Sequence, residues 1–528
     1  MTSKTPWQGT RLPRFPKLRE NLRCDVLVIG GGITGLTAAY LLAKVGKKVC
    51  LLERGRLAGG DTGCTTAHLA MVTDLRLSEL ASSFGNEGAR LAWEGGAAAI
   101  NTIEEIARRE NIDCEFRRIP GFLHASLKSD RDETRDLQRD CQLANKLGFG
   151  ASFVPLVPQV GKPGIRFPNQ AKFHPLKYLS GLAKATAGAG GHIFEDSEAV
   201  EFLENSRAVT ANGKRVECDL IVIATHVPLV GEASLTSATM LQTKLAPYST
   251  YAIGAKIPKG FSPEASFWDT SDPYYYLRID EGDRADYAIF GGEDHRTGQA
   301  ANLEDRIARL EERLQQLIPH AKVECHWSSQ VVETHDGLPY IGEMTDGQFE
   351  ATGFAGNGLT FGTLGGMMAC DAALGRHNPW QDLFHVNRKK ISGVWGLVKL
   401  GLDYPYYFLR DRFATDGHST REVKRGSGKV LKLNGELVAC SRDDDGEVSG
   451  VSAVCTHMGC IVHWNEVERT WDCPCHGSRF QTTGEVVAGP AETALNKVEA
   501  PSVKTERDVK NRAPQRKRIR RTSVKPRR

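Results

Sequence analysis

From residue 24 to 29 the chain reads Cys-Asp-Val-Leu-Val-Ile, a short apolar run rich in β-branched residues that predicts a buried strand. It ends in Gly30, Gly31 and Gly32. Residues 33–45 then carry helix formers, among them Leu36, Ala38, Ala39, Leu41, Leu42 and Ala43, and Gly46 stops the helix. Residues 48–53 return to a strand pattern. Strand, glycine turn, helix and strand within about thirty residues make a βαβ unit.

Later segments extend this α/β pattern. Residues 177–187 predict a helix and 192–194 a strand. Residues 218–224 (Cys-Asp-Leu-Ile-Val-Ile-Ala) are continuously apolar, as strands covered on both faces are. Residues 349–354 read as a strand, 356–362 as a glycine-rich turn and 363–374 as a helix of small residues. Two blocks interrupt the pattern. Residues 75–146 are mostly helical in composition. Residues 246–324 mix strand patterns at 248–257, 274–279 and 287–290 with an amphipathic helix at 303–317. This layout predicts a substrate domain (75–169 and 231–324) interleaved with an α/β body built from 24–74, 170–230 and 325–375. Residues 1–23 form an N-terminal extension. A connector follows over 376–420, whose Trp395 and 404–408 aromatics are expected to pack it onto a domain. From 426 onward short strands and turns take over, with Asn434-Gly435 predicting a hairpin between the runs 429–433 and 436–441. A small all-β domain is placed at 421–503.

Composition adds boundaries. The 528 residues are 40% hydrophobic and 25% charged, ordinary globular usage with room for about three domains. No run of about 18 apolar residues predicts a membrane span. Residues 1–23 lack the apolar core of a secretion signal, so a cytoplasmic protein is expected. Charge is uneven: residues 504–528 hold twelve Lys/Arg and two Asp/Glu, a net +10 against −6 elsewhere. That run predicts a disordered tail able to meet an acidic partner, without specific nucleic-acid binding. Of thirteen cysteines, five crowd together at Cys440, Cys455, Cys460, Cys473 and Cys475, a density that argues for metal.

Gly30-x-Gly32-x-x-Gly35 follows a predicted strand and opens a predicted helix. The glycines allow a tight turn, close approach to a pyrophosphate and close helix packing, and the helix N-terminus offers free N–H groups, with Ile33 and Thr34 in its first turn. Glu53, at the end of the second strand, is placed to accept from an adenosine ribose 2′-OH and would repel a 2′-phosphate. No second fingerprint follows, and one dinucleotide site favours tightly held FAD over NAD. Near the C-terminus, Cys455-Thr456-His457 and Cys473-Pro474-Cys475-His476 each pair a thiolate with an imidazole. That is the donor set of a Rieske [2Fe–2S] cluster, with Cys455 and Cys473 on one iron and His457 and His476 on the other. Zinc takes the same donors but usually separates its cysteine pair from its histidine pair.

Residues 24–375 resemble the D-amino-acid oxidase/glycine oxidase superfamily of FAD-dependent oxidoreductases. The likeness rests on the fingerprint, on Asp336-Gly337-Leu338-Pro339-Tyr340-Ile341-Gly342 and on Ala355-Gly356-Asn357-Gly358-Leu359-Thr360-Phe361-Gly362. It implies that Gly356 to Thr360 close over the flavin ring and that Arg54 and a stretch including Thr65 and Thr66 lie along the cofactor. Some relatives bond FAD covalently; Cys325 and His68 lie near those regions but not at the matching positions, so noncovalent FAD is expected. The 455–480 stretch resembles Rieske proteins of the cytochrome bc/b6f type, which implies a Cys460–Cys475 disulfide and a cluster hydrogen bond from Ser478. Phe480 stands where that type carries a tyrosine, which predicts a lower potential within the range of about −150 to +300 mV.

The implied architecture is a Rossmann-like α/β FAD-binding body with an interleaved mixed-sheet substrate domain and a C-terminal all-β Rieske domain. The implied reaction is hydride transfer to FAD from a small amine or amino-acid-like substrate. Electrons then pass to the cluster and on to an acceptor protein or quinone, leaving O2 a poor acceptor. Tyr275, Tyr276, Arg278, His226 and His295 are the candidate substrate contacts. Arg278 is expected to fork onto a substrate carboxylate, and Tyr276, Arg278 and His295 form the candidate catalytic set. The rival reading is an electron-transfer component that delivers reducing equivalents to a partner oxygenase or redox chain. It would use NAD(P)H, and the missing second fingerprint counts against it.

Overall fold

Strand Val26–Ile29, helix Ile33–Lys44 and strand Val49–Leu52 form the first βαβ unit, and every residue of both strands is buried. Runs without polar alternation need cover on both faces. In the computed structural model, which describes residues 5–203, 207–210, 213–228, 241–242, 244–299, 302–345, 347–388 and 403–498, they have it. The two strands are central in a six-stranded sheet. Its order is Tyr340–Thr345, Gln348–Thr352, Leu220–Ile223, Val26–Ile29, Val49–Leu52, His192–Phe194, and all neighbours are parallel except the first pair.

Helix Gly358–Ala373 lies against Ile33–Lys44. A Cβ at its Gly366 would meet Thr37 Cβ at 2.8 Å and the Ala38 backbone at 2.9 Å. The predicted turn at 356–362 is therefore mostly helix. Glycines that read as turn formers serve close helix packing instead, and the helix starts at Gly358 rather than 363.

A nine-stranded, mostly antiparallel sheet makes the second layer. Along it lie Lys322–Thr334, Leu245–Ile257, Asp286–Arg296, Tyr276–Asp280, Ser266–Asp269, Arg117–His124, Gly164–Lys172 and His68–Leu69, with Ser152–Val154 pairing at the side. The chain passes repeatedly between the two sheets, which is the interleaving the sequence pattern implied. The block at 75–146 hides a strand, Arg117–His124, between helices Leu77–Arg109 and Thr134–Lys146. Its Arg117-Arg118 start and Pro120 masked the signal. Residues 5–23 are built into this body: Trp7 and Leu18 are buried, and Leu22–Arg23 pairs in parallel with Arg215–Glu217.

The C-terminal unit has its own core, which includes Val430, Ala439, Val451, Trp471 and Phe480. Ser427–Leu433 and Glu436–Arg442 form the hairpin, with Asn434 at φ 51° and Gly435 at φ 91°, as its turn requires. Helix Asp403–Phe413 leads into it, and Tyr407 and Phe408 pack against its core. Trp395 and the basic tail lie outside the described residues. Among the described residues no helix is long and apolar enough to cross a membrane.

Candidate functional site

The fingerprint turn is shaped by backbone crowding. Gly30 has φ 105°, and a Cβ there would meet the Ala224 carbonyl oxygen at 2.4 Å; at Gly35 it would meet the Gly30 oxygen at 1.9 Å. The N-cap of Ile33–Lys44 is Gly32, which has no side chain to cap the helix, and Thr62 Oγ1 accepts from Ile33 N at 3.4 Å. Its first-turn N–H groups thus face a cavity of about 900 Å³, which Gly32, Ile33 and Thr34 help line. Thr65, Thr66, Gly356, Asn357, Gly358 and Leu359 line it as well. Thr360 is buried in the following helix, off the wall. The Glu53 carboxylate accepts from Gly31 N at 2.7 Å and Gly55 N at 2.8 Å, which braces the turn. A crowded glycine turn, a helix end with glycine at its N-cap and an adjacent carboxylate are what a dinucleotide needs. Arg54 does not line this cavity: its guanidinium donates to the Val487 carbonyl of the C-terminal unit at 3.0 Å.

The loop from Cys64 to Ala67 is held from behind. Trp327 Nε1 donates to Cys64 O at 2.8 Å, Trp7 Nε1 to Thr65 O at 2.7 Å, and Arg278 Nη1 to Ala67 O at 2.8 Å. This corrects the role expected of Arg278. Its fork is spent on Asp280, with both bonds at 2.8 Å, and the side chain is 3% exposed. Arg278 shares a strand face with Tyr276, but the loop and Trp7 cover it. It buttresses the cavity wall and does not reach a substrate.

His295 is corrected too. Alternation along Asp286–Arg296 turns Asp294 to the cavity and His295 away, where it stacks on Tyr251 with centroids 5.7 Å apart. Burial lowers its pKa to about 3. Tyr275 also points away, donating to Glu293. Tyr276 and His226 do line the cavity. Cys325 lies off the wall beside the Tyr287 hydroxyl, 3.4 Å away, whereas His68 lies on it.

Sequence reasoning missed three acidic residues on the wall. Asp74 accepts from Tyr274 Oη at 3.0 Å and Gly356 N at 2.8 Å. Burial raises its pKa, pushes Asp294 up to about 7, and, with the charges of Asp74 and Asp294, pushes Glu333 up to about 8. Strand register could have found two of them, while Asp74 lies in a loop. Asp294 and Glu333 lie on strands flanking Leu245–Ile257, whose Tyr248 and Thr250 face the same cavity.

The second centre is formed by two matching loops. Gly459 N donates to Cys455 O and Gly477 N to Cys473 O, both at 3.0 Å, with positive φ at each glycine. The loops are tied by a Cys460–Cys475 disulfide. Cys455 and Cys473 are 2% and 1% exposed and face one another, and the rings of His457 and His476 are 4.9 Å apart. Three sulfurs, those of Cys460, Cys473 and Cys475, lie within 4.8 Å of one another, but the disulfide removes two as ligands.

His457 Nδ1 is buried without a hydrogen-bond partner, while its Nε2 donates to Gln242 Oε1 at 3.0 Å. Gln242 Nε2 donates in turn to Pro228 O at 2.8 Å, which orients the amide. A ring nitrogen left bare beside two thiols, on a histidine whose other nitrogen is held, fits a metal ligand. Burial keeps both imidazoles neutral, with pKa values lowered to about 4. Ser478 is fully buried, bonds toward Cys455, and accepts from Ala491 N at 3.0 Å.

The two centres share a wall. Along Leu245–Ile257, Tyr248, Thr250 and Ala252 line the cavity, whereas Pro247 and Ser249 face the opposite side. On that side a Cβ at Gly477 would meet Pro247 at 2.6 Å, and Gln330 Nε2 donates to Gly477 O at 2.8 Å. Gln299 Nε2 donates to Pro474 O at 2.9 Å, and Leu303 N to Glu466 at 2.8 Å.

Comparison with known proteins agrees with this geometry. Residues 25–372 match the family described as FAD dependent oxidoreductase, and 416–499 match the Rieske [2Fe-2S] domain. A Bacillus subtilis protein described as a Rieske 2Fe-2S iron-sulfur protein, YhfW, is 31% identical over 505 residues, covering 94% of this chain and 97% of its own. Gamma-glutamylputrescine oxidoreductase of Escherichia coli is 24% identical over 425 residues, 75% of this chain and 95% of that protein. Among solved structures, glycine oxidase from Geobacillus kaustophilus has the same fold, with a TM-score of 0.59 at 20% identity over 70% of this chain and 100% of that one.

Proposed function

We propose, for a chain that belongs to the FAD dependent oxidoreductase family and carries a Rieske [2Fe-2S] domain, oxidation of a small amine or amino-acid-like substrate, with the electrons leaving through the chain's own cluster to an outside protein or quinone. FAD supplies a hydride acceptor and the cluster a one-electron carrier. Gly30, Gly32 and Gly35 leave room for the pyrophosphate, the N–H groups of Ile33 and Thr34 meet its charge, and Glu53 takes the adenosine ribose. Thr65, Thr66 and Gly356 to Leu359 flank the rest of the cofactor. Tyr276 and His226 stand on the wall where substrate enters. Cys455, Cys473, His457 and His476 hold the cluster.

The shared wall carries the electron path. One strand turns Tyr248 and Thr250 to the cavity and Pro247 to the cluster loops. A single sheet thus separates the two centres. Gln330 lines the cavity through its strand and binds Gly477 through its side chain. Anaerobic titration of the holoprotein with amines, amino acids, NADH and NADPH tests the reading. Flavin bleaching by an amine or amino acid, followed by a Rieske-type EPR signal, is the expected result. Reduction by NAD(P)H alone would overturn it and leave an electron-delivery component.

A further inference from the structure

The cavity wall is one-sided in charge. Among the described residues eight Asp and Glu line it against one Lys or Arg, Arg76, whose guanidinium is already held by Asp140 at 2.7 Å. Several of the acids are spent within the protein: Asp336 pairs with Arg388, Asp61 accepts from Gln330 N and Asp269 from Tyr275 N. Asp294 is so only in part: its side chain bonds to Thr250, while its Oδ1 is buried without a hydrogen-bond partner, and the residue lines the cavity. The charge of Asp74 is close enough to raise the proton affinity of both Asp294 and Glu333. Tyr274 and Tyr276, with ring centroids 5.9 Å apart, add aromatic faces to the same wall.

We infer that the substrate is a cationic amine with no carboxylate beside the reacting carbon, held at its nitrogen end by Asp294, Glu333 and Asp74 against the Tyr274–Tyr276 pair. This rests on the amine-oxidation reading above and narrows its substrate class. Carboxylates and aromatic faces together recognise ammonium groups. Among the described residues a substrate carboxylate would find on this wall only Arg76, which Asp140 already holds, and would face carboxyl groups instead.

The chemistry favours the same wall. As the C–H bond breaks, its electron pair leaves with the hydrogen to the flavin, and the nitrogen lone pair becomes the second bond of C=N. A bound ammonium must first pass one N–H proton to a wall carboxylate, whose raised proton affinity suits it to accept; the neutral amine so formed becomes a cationic iminium as the hydride leaves, so positive charge develops where the carboxylates stand. Burial and mutual repulsion hold Asp294 and Glu333 at raised proton affinity, a cost that a bound cation relieves.

The test compares butylamine with norvaline, which differs by the carboxylate, in anaerobic flavin reduction by the holoprotein. It also follows the oxidised flavin spectrum on adding tetramethylammonium or acetate, neither of which can react. Butylamine should outperform norvaline, and tetramethylammonium should perturb the spectrum where acetate does not. Asp294→Asn, nearly identical in shape, should raise the KM for butylamine by about 10- to 100-fold and lower the limiting reduction rate as well. Its unchanged FAD content would exclude misfolding. Faster reduction by norvaline, preferential binding of acetate, or an unaltered KM in Asp294→Asn would overturn the proposal. Tetramethylammonium binding that Asp294→Asn abolishes, without reduction by any amine, would uphold the cation site and overturn the amine-oxidation reading instead.

Discussion

The two cofactor sites are built in opposite ways. The proposed cluster site draws its four donor side chains from two loops within residues 455–476, tied by a disulfide, with both thiols buried and both imidazoles half-buried. The flavin cavity collects its wall from strands and loops spread between Gly32 and Leu359, and much of what it offers is backbone N–H, carbonyl or empty space. A metal is specified by a few donor atoms at fixed reach, so its ligands cluster in sequence. A large organic cofactor is specified by shape, so its contacts come from wherever the fold brings chain to the surface of the cavity.

The largest test of this contrast removes one donor. Cys473→Ser should abolish the Rieske EPR signal and electron output to one-electron acceptors while leaving FAD bound and reducible by substrate. Loss of FAD along with the cluster would mean that the two sites are not separable. Next comes Arg278, which holds the cavity wall from behind. Arg278→Ala leaves three carbonyl oxygens without that donor and Asp280 with Lys172 as its remaining cation, and should cost about 3–5 kcal/mol in chemical denaturation. A stable variant with only a changed KM would restore the direct substrate contact that the geometry denies.

The same contrast explains what could be read before the structure was in hand. The fingerprint glycines, Glu53 and the two Cys-x-His and Cys-x-x-His loops were legible because each is a short motif whose spacing carries its mechanism. Tyr276 was legible only as a residue type, and Arg278 and His295 misled for the same reason. Whether a strand residue faces the cavity depends on register, and Asp294 and His295 are neighbours in sequence but lie on opposite faces of the sheet. Gln242 and Gln330 carried no signal at all. Their roles arise from docking between domains, which no local pattern encodes.

Docking gives a smaller effect. Gln330→Ala removes the bond to Gly477 and should weaken the domain contact by about 1–3 kcal/mol. It should slow flavin-to-cluster transfer in stopped-flow traces while the reduction of flavin by substrate keeps its wild-type rate. Equal slowing of both steps would place Gln330 in the substrate site instead. The smallest effect is on pH dependence. Asp294 and Glu333 titrate near about 7 and 8 in the folded protein but near the ordinary carboxylate value of about 4 when unfolded. Between these values the native state binds more protons, so stability falls as pH rises from about 4 to about 8. Thermal melts of the substrate-free holoprotein should show this fall, and Asp294→Asn should flatten it; an equal slope in the variant would remove Asp294 as its source.

The account stands most directly on transfer across the shared sheet within one chain. Rapid-freeze EPR after mixing substrate with holoprotein at several protein concentrations measures it. The Rieske signal should rise after flavin bleaching with a rate constant independent of protein concentration. A rate that grows with protein concentration, or a cluster that stays oxidised beside a bleached flavin, would contradict it.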